Sequence, residues 1–220
     1  MGAPELVGAN KETSMKHSKG NMGCSTKKLT WPTAQMKSLY MNKHSMGNKR
    51  EDLEATVLPG HYDLIAITET WWDESHDWSV AINDYKLFRR ERRGKKGGGI
   101  ALYIRKSIQC EELSLKNSHE QIKSLWVRIR DRGNKGHLVV GVHYRPLDQW
   151  EPTDEAFFLQ LWEASHSEAL ILLGDFSQPD ICWTSSMVSC RQSRRSLECT
   201  EENFLSQVID SPTDGMRYWT

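Results

Sequence analysis

Apolar positions along this chain fall into short runs separated by polar and glycine-rich stretches, and their spacing alternates between the periods of strand and helix. "MKSLYMN" predicts a short strand ending at Asn42. "NKREDLEATVL" puts Leu53, Val57 and Leu58 at helical spacing, with Asp52 and Glu54 in the early turns. "YDLIAITET" reads as a buried strand that runs into polar residues at Thr68 to Thr70. Two strands joined by a glycine-rich basic turn are expected in "YKLFRRERRGKKGGGIALYIRKS". In "SLWVRIRD", Leu125, Val127 and Ile129 alternate with Trp126, Arg128 and Arg130, the pattern of a strand with one wet face. "HLVVGVHYRP" is a further strand, stopped by Pro146. "TDEAFFLQLWEASHS" predicts a helix capped by Thr153, with Phe157, Leu161 and Ala164 on one face. "ALILLGDF" is a strand, and "SLECTEENFLSQVID" a final helix.

Strands mixed with helices over one domain length give an α/β or α+β architecture. The polar residues of chemical interest, Asn42, Glu69, Tyr144 and Asp175, fall at predicted strand ends. Such ends are expected to meet on one rim of a sheet protein. Upstream, residues 1–35 lack periodicity and are rich in Lys, Ser, Gly and Asn, which reads as a mildly basic tail. The domain itself is expected over residues 36–220.

Composition narrows the classes. At 220 residues there is room for one domain with a sizeable core, and nine tryptophans with 38% hydrophobic residues fit a globular, rather polar chain. A net charge of zero means that any affinity for nucleic acid must come from local patches. No apolar run has the ~20 residues of a membrane span, and no hydrophobic leader is visible, so neither membrane insertion nor secretion is expected. Five cysteines without a CxxC pair suit reduced thiols in an intracellular setting.

The strand-end residues suit phosphodiester hydrolysis. A hard divalent ion takes oxygen ligands, usually one or two carboxylates. Glu69 with Asn42 beside it fits that role, Asp175 can orient a water or handle a proton, and the Tyr144 phenol can donate to phosphate. Taken singly, an acid at a strand end is often only where the chain meets water, and Asn42 alone reads as a turn former. Charge adds one patch: Arg89, Arg90, Arg92, Arg93, Lys95, Lys96, Arg105 and Lys106 stand against Glu91 alone. That turn suits a phosphate backbone, or a hairpin whose charges guard a sheet edge. "GKKGGG" lacks the context of a nucleotide-binding loop. Of Trp71 and Trp72, one reads as core packing and the other as a packing residue or a wall beside a DNA groove; His76 and His143 lie near the motifs and read as structural histidines, and Cys182 and Trp183 as packing beneath the loop after Asp175.

"NKHSMGNK", "DLIAITETWW", "GGGIALYIR", "VGVHYRP" and "LLGDFSQPDICW" resemble, in order and spacing, the endonuclease/exonuclease/phosphatase superfamily. More narrowly they resemble the apurinic-endonuclease-like domain of LINE-type, non-LTR retrotransposons. The resemblance implies a four-layer sandwich of two mixed sheets flanked by helices. It implies a magnesium-dependent endonuclease, with manganese as an allowed substitute, that nicks DNA and leaves a 3′-hydroxyl. It further implies Glu69 as the main metal ligand with Asn42 beside it, Tyr144 on the scissile phosphate, and Asp175 on the attacking water or leaving group. DNA contacts fall to Arg89, Arg90, Arg92, Arg93, Lys95, Lys96 and Arg145. DNA is the implied partner, with element RNA or a reverse transcriptase joining it in a longer relative, and the nucleus is the implied workplace.

Two departures bear on activity. The family writes Gly-Asp-Phe-Asn where this chain has Ser177 after "GDF", a shorter donor in place of an amide. Loss of one such donor costs on the order of 10²- to 10³-fold in rate. The family's terminal Ser-Asp-His has no counterpart, since the last histidine is His166. "GMRYWT" also departs from the family's Gly-Asp-Ala-Ile-Leu-Asp, and one lost G in a run of G converts the codons of the second into those of the first. Residues 216–220 are therefore expected to be out of frame, and an inner strand to be left as a bare sheet edge. The expectation is an endonuclease of impaired activity. The alternative is an inactive remnant that retains at most DNA binding. A relative acting on phospholipid or inositol phosphate is a third reading, against which "ETWW" and "PDICW" argue.

Overall fold

β-Branched and aromatic residues at alternating positions build the strands, and two parallel strand pairs, each joined through a helix, organise them. The computed structural model describes residues 36–42, 50–70, 81–91, 98–116, 122–130, 137–166, 169–178, 181–182, 185, 187–206 and 216–219. The tail expected over residues 1–35 lies outside them.

The first sheet contains β1 (Ser38–Asn42), β2 (Leu64–Thr70), β3 (Tyr85–Arg90), β4 (Gly99–Arg105) and β11 (Met216–Trp219). Its strand order is β11-β1-β2-β4-β3. β1 and β2 run parallel, connected by helix α1 (Arg50–Gly60), and the other pairings are antiparallel. The second sheet is β5 (Cys110–Glu112), β6 (Ser124–Arg130), β7 (His137–Tyr144) and β8 (Ala169–Asp175), in that order. Here β7 and β8 are the parallel pair, connected by α2 (Glu151–Ser165). A small hairpin, β9 (Ile181–Cys182) with β10 (Met187–Val188), leads into α3 (Arg191–Glu202).

Three apolar layers hold these elements together. Leu64, Ala66, Ile100 and Leu102 of the first sheet meet Leu125, Val127, Val140 and Val142 of the second. The outer face of the first sheet packs Leu39, Ile65 and Tyr103 on Leu53 and Val57 of α1. The outer face of the second packs Trp126 and Val139 on Phe157, Leu161 and Ala164 of α2 and Cys199 of α3. The result is an α/β fold of four layers: helix, sheet, sheet, helices. Each fully buried Leu or Ile contributes about 1.5–3 kcal/mol. Among the described residues, no helix is long and apolar enough to cross a membrane.

Several local expectations need correction. Leu58 is exposed rather than packed, because only Leu53 and Val57 face the sheet. Trp126 does not lie on a wet face but is buried against α2, where its indole N–H donates to Gln160 Oε1 at 2.9 Å. Thr153 is not the cap of α2. Pro152 sits in the first turn, where its fixed φ and missing N–H are tolerated, so the helix begins at Glu151 with Trp150 before it. α3 starts earlier than expected, capped by the Cys190 sulfur, which accepts from the Ser193 N–H at 3.3 Å. It stops at Glu202, where Asn203 turns its amide back to the Cys199 carbonyl at 2.7 Å and Phe204 takes a φ of 54°. Cys182 is exposed, so it does not pack beneath a loop, while Trp183 lies outside the described residues. Residues 216–219, read above as out of frame, form β11 along β1 in the first sheet, and β8 stands at an edge of the second.

Candidate functional site

Both parallel pairs end at the same place. In the first sheet Asn42 is the register partner of Thr68, the residue before Glu69. In the second, Tyr144 is the partner of Asp175. Carboxyl ends of parallel strands are where chains of this type present side chains to a ligand, because the strand fixes the backbone and the following loop frees the side chain. Here the two sheets bring two such ends together. The Asn42 amide donates to Asp175 Oδ2 at 2.7 Å and to Glu69 Oε1 at 3.4 Å. Tyr144 hydrogen-bonds Glu69 in turn. The four residues expected at a shared rim are thus joined in one half-buried cluster.

Local backbone features aim these side chains. Glu69 lies in a bulge between Thr68 and Thr70 and has a φ of 59°, a left-handed conformation unusual for glutamate. The bulge keeps Thr68 and Thr70 buried on either side while Glu69 turns to the rim. Gly174 lets β8 approach β7 closely enough to pair at Asp175, since a Cβ there would lie 1.9 Å from the His143 carbonyl oxygen. Ser177, with a φ of 35°, directs both its N–H and its hydroxyl to Asp175 Oδ1, at 3.0 and 2.9 Å.

The electrostatics favour a neutral phenol beside charged carboxylates. Burial, the hydrogen bond to Glu69 and the charges of Glu69 and Asp175 all push Tyr144 above the usual phenol range, so it remains a donor. Lys123 holds its ammonium 4.7 Å from the centre of the Tyr144 ring. Gly98, at the end of the basic turn, abuts both: a Cβ there would meet Lys123 Nζ at 2.4 Å and Tyr144 Cε1 at 3.3 Å. One root of that turn therefore stands against the cluster.

Arg145 departs from expectation. Its side chain is 7% exposed and engaged in a fork on Asp154, with Nε and Nη2 each at 3.0 Å from a carboxylate oxygen. A DNA phosphate cannot reach a guanidinium so enclosed, and Arg145 leaves the DNA-contact set. Of the basic turn, Arg89 pairs with Glu91 at 3.2 Å and Arg90 with Glu112 at 3.7 Å, both partly exposed. Arg92, Arg93, Lys95 and Lys96 lie outside the described residues, as do Trp71, Trp72 and His76.

His143 is a packing residue. It stacks on Phe157 with ring centres 3.6 Å apart, and its Nδ1–H donates to the Lys123 carbonyl at 2.9 Å. Burial pushes its pKa down to about 3, which leaves the ring neutral. Sequence reasoning missed Lys123 and Asp154. Neither stands in a recognisable motif, and only the packing of β6 and α2 brings them to this end of the sheets.

Glu69, Asp175 and Asn42 make an oxygen-rich donor set of two carboxylates and one amide. Among the described residues no group of three or more His, Cys, Asp or Glu side chains forms a metal cluster. The set lacks the thiols and imidazoles of a zinc centre and fits a hard divalent ion that keeps much of its water.

The sequence profile of the Endonuclease/Exonuclease/phosphatase family matches residues 36–219. No curated protein matches the chain. Among solved structures, the chain is similar to the endonuclease domain of TRAS1, a telomere-specific non-LTR retrotransposon, with 14% identity and a TM-score of 0.61 over 81% of this chain and 77% of that one. It is also similar to the AP endonuclease LMAP from Leishmania major, with 10% identity and a TM-score of 0.56 over 76% of this chain and 66% of that one. At these identities the likeness is one of fold.

Proposed function

The chain belongs to the endonuclease/exonuclease/phosphatase family, and from that premise we propose that it is a DNA endonuclease domain of the non-LTR retrotransposon type, which nicks one strand by phosphodiester hydrolysis. The observation that carries the reading is the joining of two parallel strand pairs by the 2.7 Å hydrogen bond from Asn42 to Asp175, with Glu69 and Tyr144 in the same cluster. The shared fold of the TRAS1 endonuclease domain supports the choice of DNA over other phosphodiesters.

Glu69 and Asn42 would hold a divalent ion, Mg2+ or Mn2+. When bound, the ion supplies charge stabilisation at the phosphate. Asp175 orients the attacking water and takes its proton. Its Oδ1 already accepts both Ser177 donors, while Oδ2, which accepts one N–H from Asn42, keeps an acceptor site for the water. Tyr144, held neutral, donates to a nonbridging phosphate oxygen. As the water oxygen bonds to phosphorus the P–O3′ bond breaks, leaving a 5′-phosphate, and the 3′ oxygen takes a proton from solvent to end as a hydroxyl, suited to prime DNA synthesis by a reverse transcriptase acting on element RNA; such a target implies the nucleus as the workplace. Arg89, Arg90 and the basic residues that follow them in sequence are the contact to the DNA backbone in this reading, which the closeness of Gly98 to Tyr144 supports. Ser177, one donor poorer than an asparagine at this position, is expected to leave the rate low.

The test is nicking of supercoiled plasmid by the purified chain, with Mg2+ and with EDTA, beside E69A. Expected is slow, Mg2+-dependent nicking that E69A abolishes. Folded protein that binds plasmid and never nicks it would mean an inactive remnant that retains DNA binding.

A further inference from the structure

We propose that the buried Arg145–Asp154 pair is a positioning device that holds the loop from Asp175 to Ser177 in its working conformation; its consequence for catalysis rests on the nuclease reading. Arg145 grips both ends of that loop. Its main-chain N–H donates to the Asp175 carbonyl at 2.8 Å, and its Nη1 donates to the Ser177 carbonyl at 3.0 Å. Between these points the chain must place Ser177 at a φ of 35°, a region serine avoids. In that conformation the Ser177 N–H and hydroxyl both meet Asp175 Oδ1. Release of the Ser177 carbonyl lets the residue relax, and the carboxylate loses two donors at once.

Asp154 makes the grip rigid. Its side chain is 3% exposed and accepts the Arg145 fork through both oxygens. Its remaining acceptor sites are taken by the Gln149 amide at 2.5 Å and by the Gln192 amide. Asp154 also lies in the first turn of α2, where an anion is favoured. The loop after β7, α2 and α3 thus fix one carboxylate, which fixes one guanidinium, which fixes the Ser177 carbonyl. A buried ion pair seldom adds net stability over an apolar pair of similar size. Its geometric yield is the more economical reason for it: only a planar fork with a third donor edge can hold Asp154 and Ser177 together, and an ammonium cannot reproduce it.

The experiment compares the full chain with the double variant R145M/D154L and with R145K. It follows cooperative thermal melting and amide hydrogen exchange at Ser177 and at Val140, in the middle of β7. In R145M/D154L, melting stays cooperative, Ser177 exchanges about tenfold faster or more, and Val140 is unchanged. R145K gives the same local acceleration to a smaller degree, and decides the matter if the double variant fails to fold. Unchanged Ser177 exchange overturns the proposal, and so does equal acceleration at Val140, which would make the pair a general structural prop. Where the parent chain nicks DNA, kcat falls in both variants with KM within about twofold, whereas kcat at the parent level in R145M/D154L overturns it. Absence of nicking in the parent sinks the nuclease reading and leaves the exchange result intact.

Discussion

Ser177 combines an awkward backbone with a short side chain. Asparagine occupies the left-handed region more readily, and its amide reaches further than a hydroxyl. S177N is therefore expected to raise plasmid nicking by about 10²-fold, read as initial rate at saturating Mg2+; an unchanged rate would mean that no donor at this position meets the phosphate. His143 gives a pH signature. Its pKa in the folded chain is pushed down to about 3 by burial, below the 6.5 of an exposed imidazole. The unfolded chain therefore binds the extra proton first as pH falls, so the stability from the neutral ring is full above 6.5 and is lost progressively toward about 3. Urea midpoints are expected to fall between pH 7 and pH 5 in the parent and to fall less in H143Q. At this scale the sequence anticipated that Asn42, Glu69, Tyr144 and Asp175 would lie together, because each falls at or near a strand end inside a motif. It misjudged Arg145, because adjacency to Tyr144 says nothing about which way a side chain points once the strand has ended.

Strand ends serve chemistry only when the strands are held in register. Gly174 is the clearest case, since any Cβ would press into the His143 carbonyl and force β8 away from β7. G174A is expected to cost on the order of 3 kcal/mol in denaturant unfolding and to abolish nicking in whatever fraction remains folded. The bulge at Glu69 works in the opposite way, by breaking register locally so that one side chain leaves the alternation. The strands themselves were legible from period-two patterning. The bulge was not, because "ITET" alternates as well with Glu69 turned in either direction. Helix boundaries failed for a related reason: Thr153 is a good cap by type, but Pro152 had already committed the chain to helix.

Among the described residues, two large sheets meet in one inter-sheet core and three helices pack on their outer faces, and the four-layer arrangement followed from motif resemblance rather than from any local pattern. Period and propensity say that strands exist, not which sheet receives them. β11 shows the limit, since nothing in "MRYW" announces that it lies along β1. Deletion of residues 216–219 is expected to bare the outer edge of β1 and to promote self-association, seen as larger species in sedimentation velocity. The contact between Asn42 and Asp175 spans 133 positions of chain and joins the two sheets. During synthesis, then, the residues that would hold the metal leave the ribosome long before the base they serve. No shorter nascent product carries all four groups of the cluster, so the nicking activity proposed above would be withheld until both halves have been made and have closed on each other.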